Sequence, residues 1–292
     1  HTPNPTKYKN DNVHPCVRYI PSGFAGHKWW MVASPYPNSD ILAENPILYF
    51  GDSRAGELPP LTWSEGVVVQ DTPSTGYNSD PNLYFDGVGL WVFWRENGTP
   101  DAVGVRTTFG RYTTDGVVFT EKKMFAPVGF DIAGKTGDCE MCPIVFNVAG
   151  QIKLFGTYYE FTPVRQPYGL AIWSLANNDL VNNQFTLAGK IGMLYKRGFN
   201  FWHFDLFAYN SKYYCVVTPE EGTEILLGES TDCENFKFWS TPLLSNAVAG
   251  TSYLYKPSAM VHQGVLYVWH PVKIDGRSRI FMTEKPIADV LV

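Results

Sequence analysis

The chain of 292 residues is poor in charge: 17% of its residues are Asp, Glu, Lys or Arg, and its net charge is −5 at neutral pH. A slightly acidic chain offers no basic face to a phosphate backbone, which argues against electrostatic binding to nucleic acid. No apolar run reaches the roughly 18 residues that a membrane-spanning helix needs, so no span is expected. Disorder is excluded from the other side, because 45% of the residues are hydrophobic. The cysteines, Cys16, Cys139, Cys142, Cys215 and Cys233, are odd in number and scattered, which is not a disulfide framework. The Cys139-x-x-Cys142 pair has no second pair at knuckle spacing and no βαβ context, so zinc and redox roles give way to buried or incidental thiols. No Gly-x-Ser-x-Gly elbow, phosphate-binding loop or dinucleotide fingerprint occurs, which removes serine hydrolases, kinases and dehydrogenases. No signal-peptide core is visible and the chain opens on His1, which reads as a processed chain. Asn97-Gly98-Thr99 is a lone glycosylation sequon.

The helical period is also nearly missing, and what replaces it is informative. Short runs rich in Val, Ile, Tyr, Phe and Trp alternate with Gly, Pro, Asn and Asp, the pattern of hairpins. Five hairpins stand out: Cys16–Ile20 with Lys28–Val32, Leu83–Phe85 with Leu90–Trp94, Ile144–Phe146 with Ile152–Gly156, Leu206–Ala208 with Tyr213–Val217, and Ala259–Val261 with Val265–Trp269. Each is preceded by a polar cluster, usually closing on proline: His14-Pro15, Asp80-Pro81, Cys142-Pro143, His203-Phe204 and Lys256-Pro257. These clusters recur about every 60 residues, with a further strand and turn after each hairpin, as at Thr113–Phe119 and Ser230–Phe236. Regular hairpin units without intervening helices indicate radial repetition. The expected fold is all-β: a five-bladed β-propeller of four-stranded antiparallel blades around a central channel, one domain over residues 1–292. A β-sandwich pair or jelly roll explains the strands but not the recurring polar-Pro start.

In a propeller the innermost strands line the channel, so residues leading into them converge at one mouth. That places His14, Asp80, Cys142, His203 and Lys256 in a ring, with Glu140 and Asp205 close by. Ionisable groups at the start of apolar strands are costly unless paired or used, which makes this ring the candidate functional site.

At these residues the chain resembles the five-bladed propeller glycosidases, the arabinanase/β-xylosidase group and its bacterial and phage-borne relatives. The resemblance runs through the blade rhythm of essentially the whole chain. It is carried by Ser79-Asp80-Pro81-Asn82-Leu83 with Asp86-Gly87, by Asp138-Cys139-Glu140-Met141-Cys142-Pro143, and by the turn Ser230 to Phe236. The opening stretch from His14-Pro15 through Trp29-Trp30-Met31 and Pro35-Tyr36-Pro37 to Glu44-Asn45-Pro46 is similar to the first blade of that set. The resemblance implies an acidic triad at the mouth and a histidine reaching a central ion, such as calcium, or a water. Asp80 is similar to the Asp of the Asp-Pro motif, Glu140 to the proton donor and His203 to the central histidine. The chain departs from the pattern twice. The proline after Glu140 lies three positions on rather than two, and the Asp-Pro expected for the base is missing, with His14 in blade one and Lys256 in blade five.

Glycoside hydrolysis needs two carboxyls about the scissile bond, one of them protonated. Glu140 as proton donor and Asp80 as modulator or base are the catalytic candidates; Glu44, Asp205, Glu96 and Glu160 are the other acids near the ring. Plainer readings stand beside them: Asp80 as a turn cap before Pro81, Glu140 as a solvated loop charge, Glu96 and Glu160 as surface turns. His14 and His203 face one channel and can hold a metal, an anion or a water; without matched carboxylate spacing no metal site is assigned, and hydrogen-bonded structural histidines are the simpler reading. Lys256 can neutralise a carboxylate or meet an acidic sugar, as can Arg18, Arg95 and Arg165. Most of the 9 Trp, 17 Tyr and 19 Phe must be core, while Trp202, Tyr36, Tyr77, Tyr158 and Trp269 lie near strand ends where they can stack on sugar rings. The expected substrate-binding set is His14, Glu44, His203, Asp205, Lys256, Trp202 and Arg95. The function expected is hydrolysis of a pentose-containing or acidic glycan, and the partner a carbohydrate outside the cytoplasm: extracellular, periplasmic or on a virion. The rival is a propeller that binds sugar without turnover, as in a phage receptor-binding domain; a lyase or transferase stays open, and so does the oligomeric state.

Overall fold

The computed structural model describes residues 11–98, 106–126, 130–132, 135–160, 166–192, 194–195, 201–219 and 221–291. All five hairpins form, each longer than its apolar run: Asn12–Phe24 with His27–Pro35, Tyr77–Phe85 with Leu90–Asn97, Lys135–Val148 with Gln151–Glu160, Phe201–Tyr209 with Lys212–Pro219, and Ser258–His262 with Val265–Ile274. Each hairpin is the inner half of its own sheet, and the sheets follow one another as meanders, so the architecture is a five-bladed β-propeller. The blades are less uniform than four strands each. Blades one and two have four; blade three carries the extra strand Phe130–Ile132 on its inner side; blade four gains Leu194–Tyr195 and Leu244–Ser245; blade five has three among the described residues.

Closure is visible in the neighbours of the inner strands. Asn12–Phe24 packs on Tyr77–Phe85, that strand on Lys135–Val148, and so on through Phe201–Tyr209 and Ser258–His262 back to Asn12–Phe24. The core is correspondingly divided into five apolar clusters, one at each blade–blade seam. Trp30, Val32, Leu83 and Trp94 fill the seam between blades one and two, and Trp29, Met31, Tyr267 and Trp269 close the ring between blades one and five. Apolar surface is thus buried between blades, which leaves the axis free for polar groups.

Two local devices shape that axis. His14, Asp80 and Cys142 have left-handed backbones, with φ of 54°, 54° and 56°, and each lies within a register shift of its inner hairpin. Such a bulge inserts one residue that pairs with nothing and re-aims its side chain. The proline that follows has no N–H to lose, which explains the recurring polar-Pro pair. Non-glycine residues held in this region cost about 1–3 kcal/mol each, a strain characteristic of functional positions.

The second device is a staple two residues further on. Cys16 Sγ accepts from Leu83 N (3.2 Å), Asn82 Oδ1 from Val145 N (3.0 Å), Asp205 Oδ2 from Ala259 N (3.2 Å) and Ser258 Oγ from Val17 N (2.9 Å). In each case a side chain on one inner strand caps a backbone donor on the next. Blade three has Ile144 in this place, and there Leu206 N turns to the Asp205 carboxylate on its own strand, at 2.9 Å.

Candidate active site

Asp80 is the hub of the channel mouth. It is fully buried, and both of its oxygens are engaged: Oδ2 takes Arg95 Nη2 and the Ser79 hydroxyl, each at 2.9 Å, while Oδ1 lies 3.3 Å from His203 Nε2 and 3.7 Å from the Cys142 thiol. Strand pairing puts Arg95 there, since Ser79 and Arg95 face each other in the inner hairpin of blade two, and Arg95 Nη2 also donates to Ser79 Oγ at 2.8 Å. His14 brings its Nδ1 to 3.7 Å from Asp80 Oδ1 and to 3.7 Å from Glu44 Oε2.

Glu44 arrives on the loop that follows strand His27–Pro35. Two short 3-10 turns fold that loop over the mouth, the second capped by Asp40 accepting from Leu42 N at 3.0 Å. The loop is then pinned to blade two: Asn78 N donates to the Glu44 carbonyl at 3.2 Å, and Asn78 Nδ2 to Asn45 Oδ1 at 2.5 Å. Glu44 is 3% exposed as a result.

The two carboxyls differ in ionisation for physical reasons. Burial, followed by the Asp80 charge, pushes the Glu44 carboxyl well above the usual carboxylate range. Burial alone would raise Asp80 as well, but the Arg95 guanidinium and the imidazoles against it hold Asp80 well below that range. Burial also pulls both imidazoles down, His14 more than His203, so each is a neutral ring beside a fixed negative charge. His14 has neither ring nitrogen, His203 has no Nδ1 and Glu44 has no Oε2 in a hydrogen bond among the described residues. One donor atom from each of His14, Asp80 and His203 falls within 4.8 Å of the others, a grouping capable of holding a cation. The sequence assigned no such site.

Around the cluster stands an aromatic wall. The His14 and His203 rings are 4.9 Å apart, Tyr255 lies 5.5 Å from both, and Trp202 lies 4.3 Å from His203 and 5.1 Å from Tyr255. Tyr36, Tyr253 and Tyr255 line a cavity of about 310 Å³ beside it, with Ser252, Pro271 and Lys273. A larger cavity of about 490 Å³, between Trp63, Trp269 and Arg279 at the seam of blades one and five, contains none of the cluster.

Not every expected residue gathers here. Lys256 does, fully buried, reaching from blade five to donate to the Pro81 carbonyl of blade two at 2.7 Å. Asp205, expected to meet substrate, instead spends both oxygens on Arg18, Ser258, Ala259 and Leu206. Trp269, expected to stack on sugar, is core at 2% exposure, because its side faces the seam with blade one. Glu96 is tied to Lys122 at 2.6 Å. Glu140 lies on the inner strand of blade three, and its side chain, like those of Glu160 and Tyr158 and all of Arg165, lies outside the described residues. Tyr255 was missed. Its signal was positional, since it precedes Lys256 as Trp202 precedes His203 and Ser79 precedes Asp80.

No protein-family model and no curated protein matches the chain. Solved structures do match. An N-acetylgalactosamine deacetylase from F. plautii, in complex with blood group B trisaccharide, is 16% identical with a TM-score of 0.66, over 94% of this chain and 89% of that one. A xylan β-1,4-xylosidase from Bacillus halodurans C-125 is 12% identical with a TM-score of 0.71, over 94% of this chain but 53% of its own. A GH43 β-xylosidase/α-arabinofuranosidase from a compost microbial metagenome, in complex with xylotriose, is 11% identical with a TM-score of 0.65, over 95% and 92%. At these identities the likeness establishes the fold, that of the five-bladed propeller glycosidases.

Proposed function

We propose that this propeller is a hydrolase acting on a glycan at the channel mouth, with Glu44 as the proton-transferring carboxyl and Asp80 as a fixed negative charge beside it. One observation carries this reading: two buried carboxyls, each 3.7 Å from one imidazole nitrogen, have their ionisation pushed in opposite directions. A carboxyl raised above the usual range can take and give back a proton in the course of a reaction, while its neighbour stays a fixed charge at the same pH. The aromatic wall of Trp202, Tyr253 and Tyr255 supplies flat faces for sugar rings, and His14, whose ring nitrogens have no hydrogen-bond partner among the described residues, orients what enters. Solved proteins of this fold, named as xylosidases and as a deacetylase, provide precedent for glycan chemistry on the scaffold. Glu140 remains the candidate second carboxyl for a glycosidic bond, which needs one on each side.

The test is release of reducing ends and of acetate from a panel of plant, capsular and host glycans, by the parent, Glu44→Gln and Asp80→Asn. Loss of a general acid or base costs about 100- to 10,000-fold. A folded Glu44→Gln protein should fall in that range. Release that survives it would remove Glu44 from the chemistry. The engagement of both Asp80 oxygens favours the rival, a sugar-recognition propeller, and binding of one glycan with no product from any would establish it.

A further inference from the structure

Building on the hydrolase reading above, we propose that His14, Asp80 and His203 form a divalent-cation site, and that the bond cleaved is an acyl bond on the sugar, an N-acetyl amide or acetyl ester. The donor set is two imidazoles and one carboxylate, all buried, from three different blades. Zinc–ligand bonds of about 2.0–2.1 Å place tetrahedral donors about 3.4 Å apart. Asp80 Oδ1 already lies 3.3 Å from His203 Nε2 and 3.7 Å from His14 Nδ1. His14 adds a second mark of a ligand site, because both of its ring nitrogens are buried without a hydrogen-bond partner among the described residues and Nδ1 faces the Asp80 and Glu44 carboxyls. Three protein ligands with an open position are the pattern of catalytic zinc, and manganese accepts similar donors. Arg95 supports the ligand from behind, fixing the other Asp80 oxygen at 2.9 Å.

The bond class follows from what surrounds the site. A glycosidic bond needs two carboxyls free to flank it, and of the two buried at the mouth among the described residues Asp80 is spent on Arg95 and the imidazoles, which leaves Glu44 alone. Acyl hydrolysis needs an electrophile for the carbonyl oxygen and one base for water, and Glu44, adjacent through His14, is that base. A bound cation would supply the polarisation of the carbonyl. Water oxygen bonds to the acyl carbon as its proton passes to Glu44; the carbon–nitrogen (or carbon–oxygen) bond then breaks, its electron pair and the Glu44 proton going to the departing atom. Acetate and the free amine or hydroxyl leave, with no redox partner needed.

The experiment uses the full chain stripped with chelator and titrated calorimetrically with zinc chloride and manganese chloride. One cation per chain is expected, with affinity falling in His203→Gln and His14→Gln by more than the roughly 10- to 100-fold that loss of a supporting contact costs. Asp80→Asn is less useful alone, since it also orphans Arg95. A parent that takes up no cation, or folded histidine variants that bind it as tightly as the parent, would overturn the site. In the loaded protein, acetate should be released from acetylated glycans without new reducing ends. Cation-dependent reducing ends without acetate would overturn the bond class and leave the hydrolase standing, products that persist in Glu44→Gln would overturn Glu44 as the base, and no product from any glycan would strike the hydrolase reading itself.

Discussion

Replacing Asp205 by Asn tests whether this buried acid is a staple or a ligand for substrate. Asp205 is 1% exposed and accepts from five donors: Arg18 twice at 3.1 and 2.9 Å, Ser258 Oγ at 2.7 Å, Leu206 N at 2.9 Å and Ala259 N at 3.2 Å. The Asn variant keeps the shape, loses the charge opposite Arg18 and turns an NH2 toward donors. Breaking a buried ion pair costs about 3–5 kcal/mol. The Arg18 side chain is 20% exposed, so water recovers part of its solvation and the lower end, about 3 kcal/mol, is expected. With about 2–4 °C per kcal/mol for a chain of this size, Tm should fall by about 6–12 °C. Urea and thermal unfolding of Asp205→Asn, Arg18→Met and the double variant give a cycle, in which the second change should cost far less than the first. A loss under about 1 kcal/mol, or strictly additive effects, would show that the staple is dispensable and return Asp205 to the substrate side.

Gly76, which leads into the strand carrying Asp80, has φ of 86°, and a Cβ there would lie 1.9 Å from the Asn97 carbonyl oxygen. Gly76→Ala should cost about 2 kcal/mol or more, against about 1 kcal/mol for Gly87→Ala, whose φ is 100° but whose Cβ meets nothing within 4 Å. Equal losses in thermal unfolding would refute the clash. Burial lowers His270 from its ordinary 6.5 to about 4. The unfolded chain therefore takes up a proton that the folded one refuses, and the stability tied to this group is full above pH 6.5 and drains as pH falls toward 4, by about 3 kcal/mol. Urea midpoints across that window should fall more steeply in the parent than in His270→Gln, and parallel slopes would contradict it.

Most of the fold was legible in the sequence because hairpins are local. The period of two and the Asp-Gly, Asn-Ser and Gln-Gly turns fix each inner pair without reference to distant residues, and the polar-Pro repeat sets the blade count. Blade size was less legible, since outer strands such as Phe236–Phe238 are short and bear few apolar residues. The mouth ring was predicted from repeat position alone, and His14, Asp80, His203 and Lys256 do converge. The role of Glu44 was harder to weigh, because a loop outside the strand repeat carries it and its burial depends on Asn45 meeting Asn78 across two blades. Asp205 misled for the opposite reason: an acid in an apolar strand looks functional, and only the three-dimensional neighbours Arg18 and Ser258 reveal its structural task.

The bond from Val17 N to Ser258 Oγ joins residues 241 positions apart. Closing so long a loop adds little entropy cost beyond a shorter one, since that cost grows only with the logarithm of length, yet it makes the join slow to find. All five blades contribute to the mouth: His14, Asp80, Cys142, His203 and Lys256 come from blades one to five in turn. No contiguous fragment contains the working set, and a chain with every blade formed but the ring still open holds its groups apart. For the hydrolase proposed, turnover is thus a report on closure, and during refolding it should be the last property to return, well after the sheets themselves have formed.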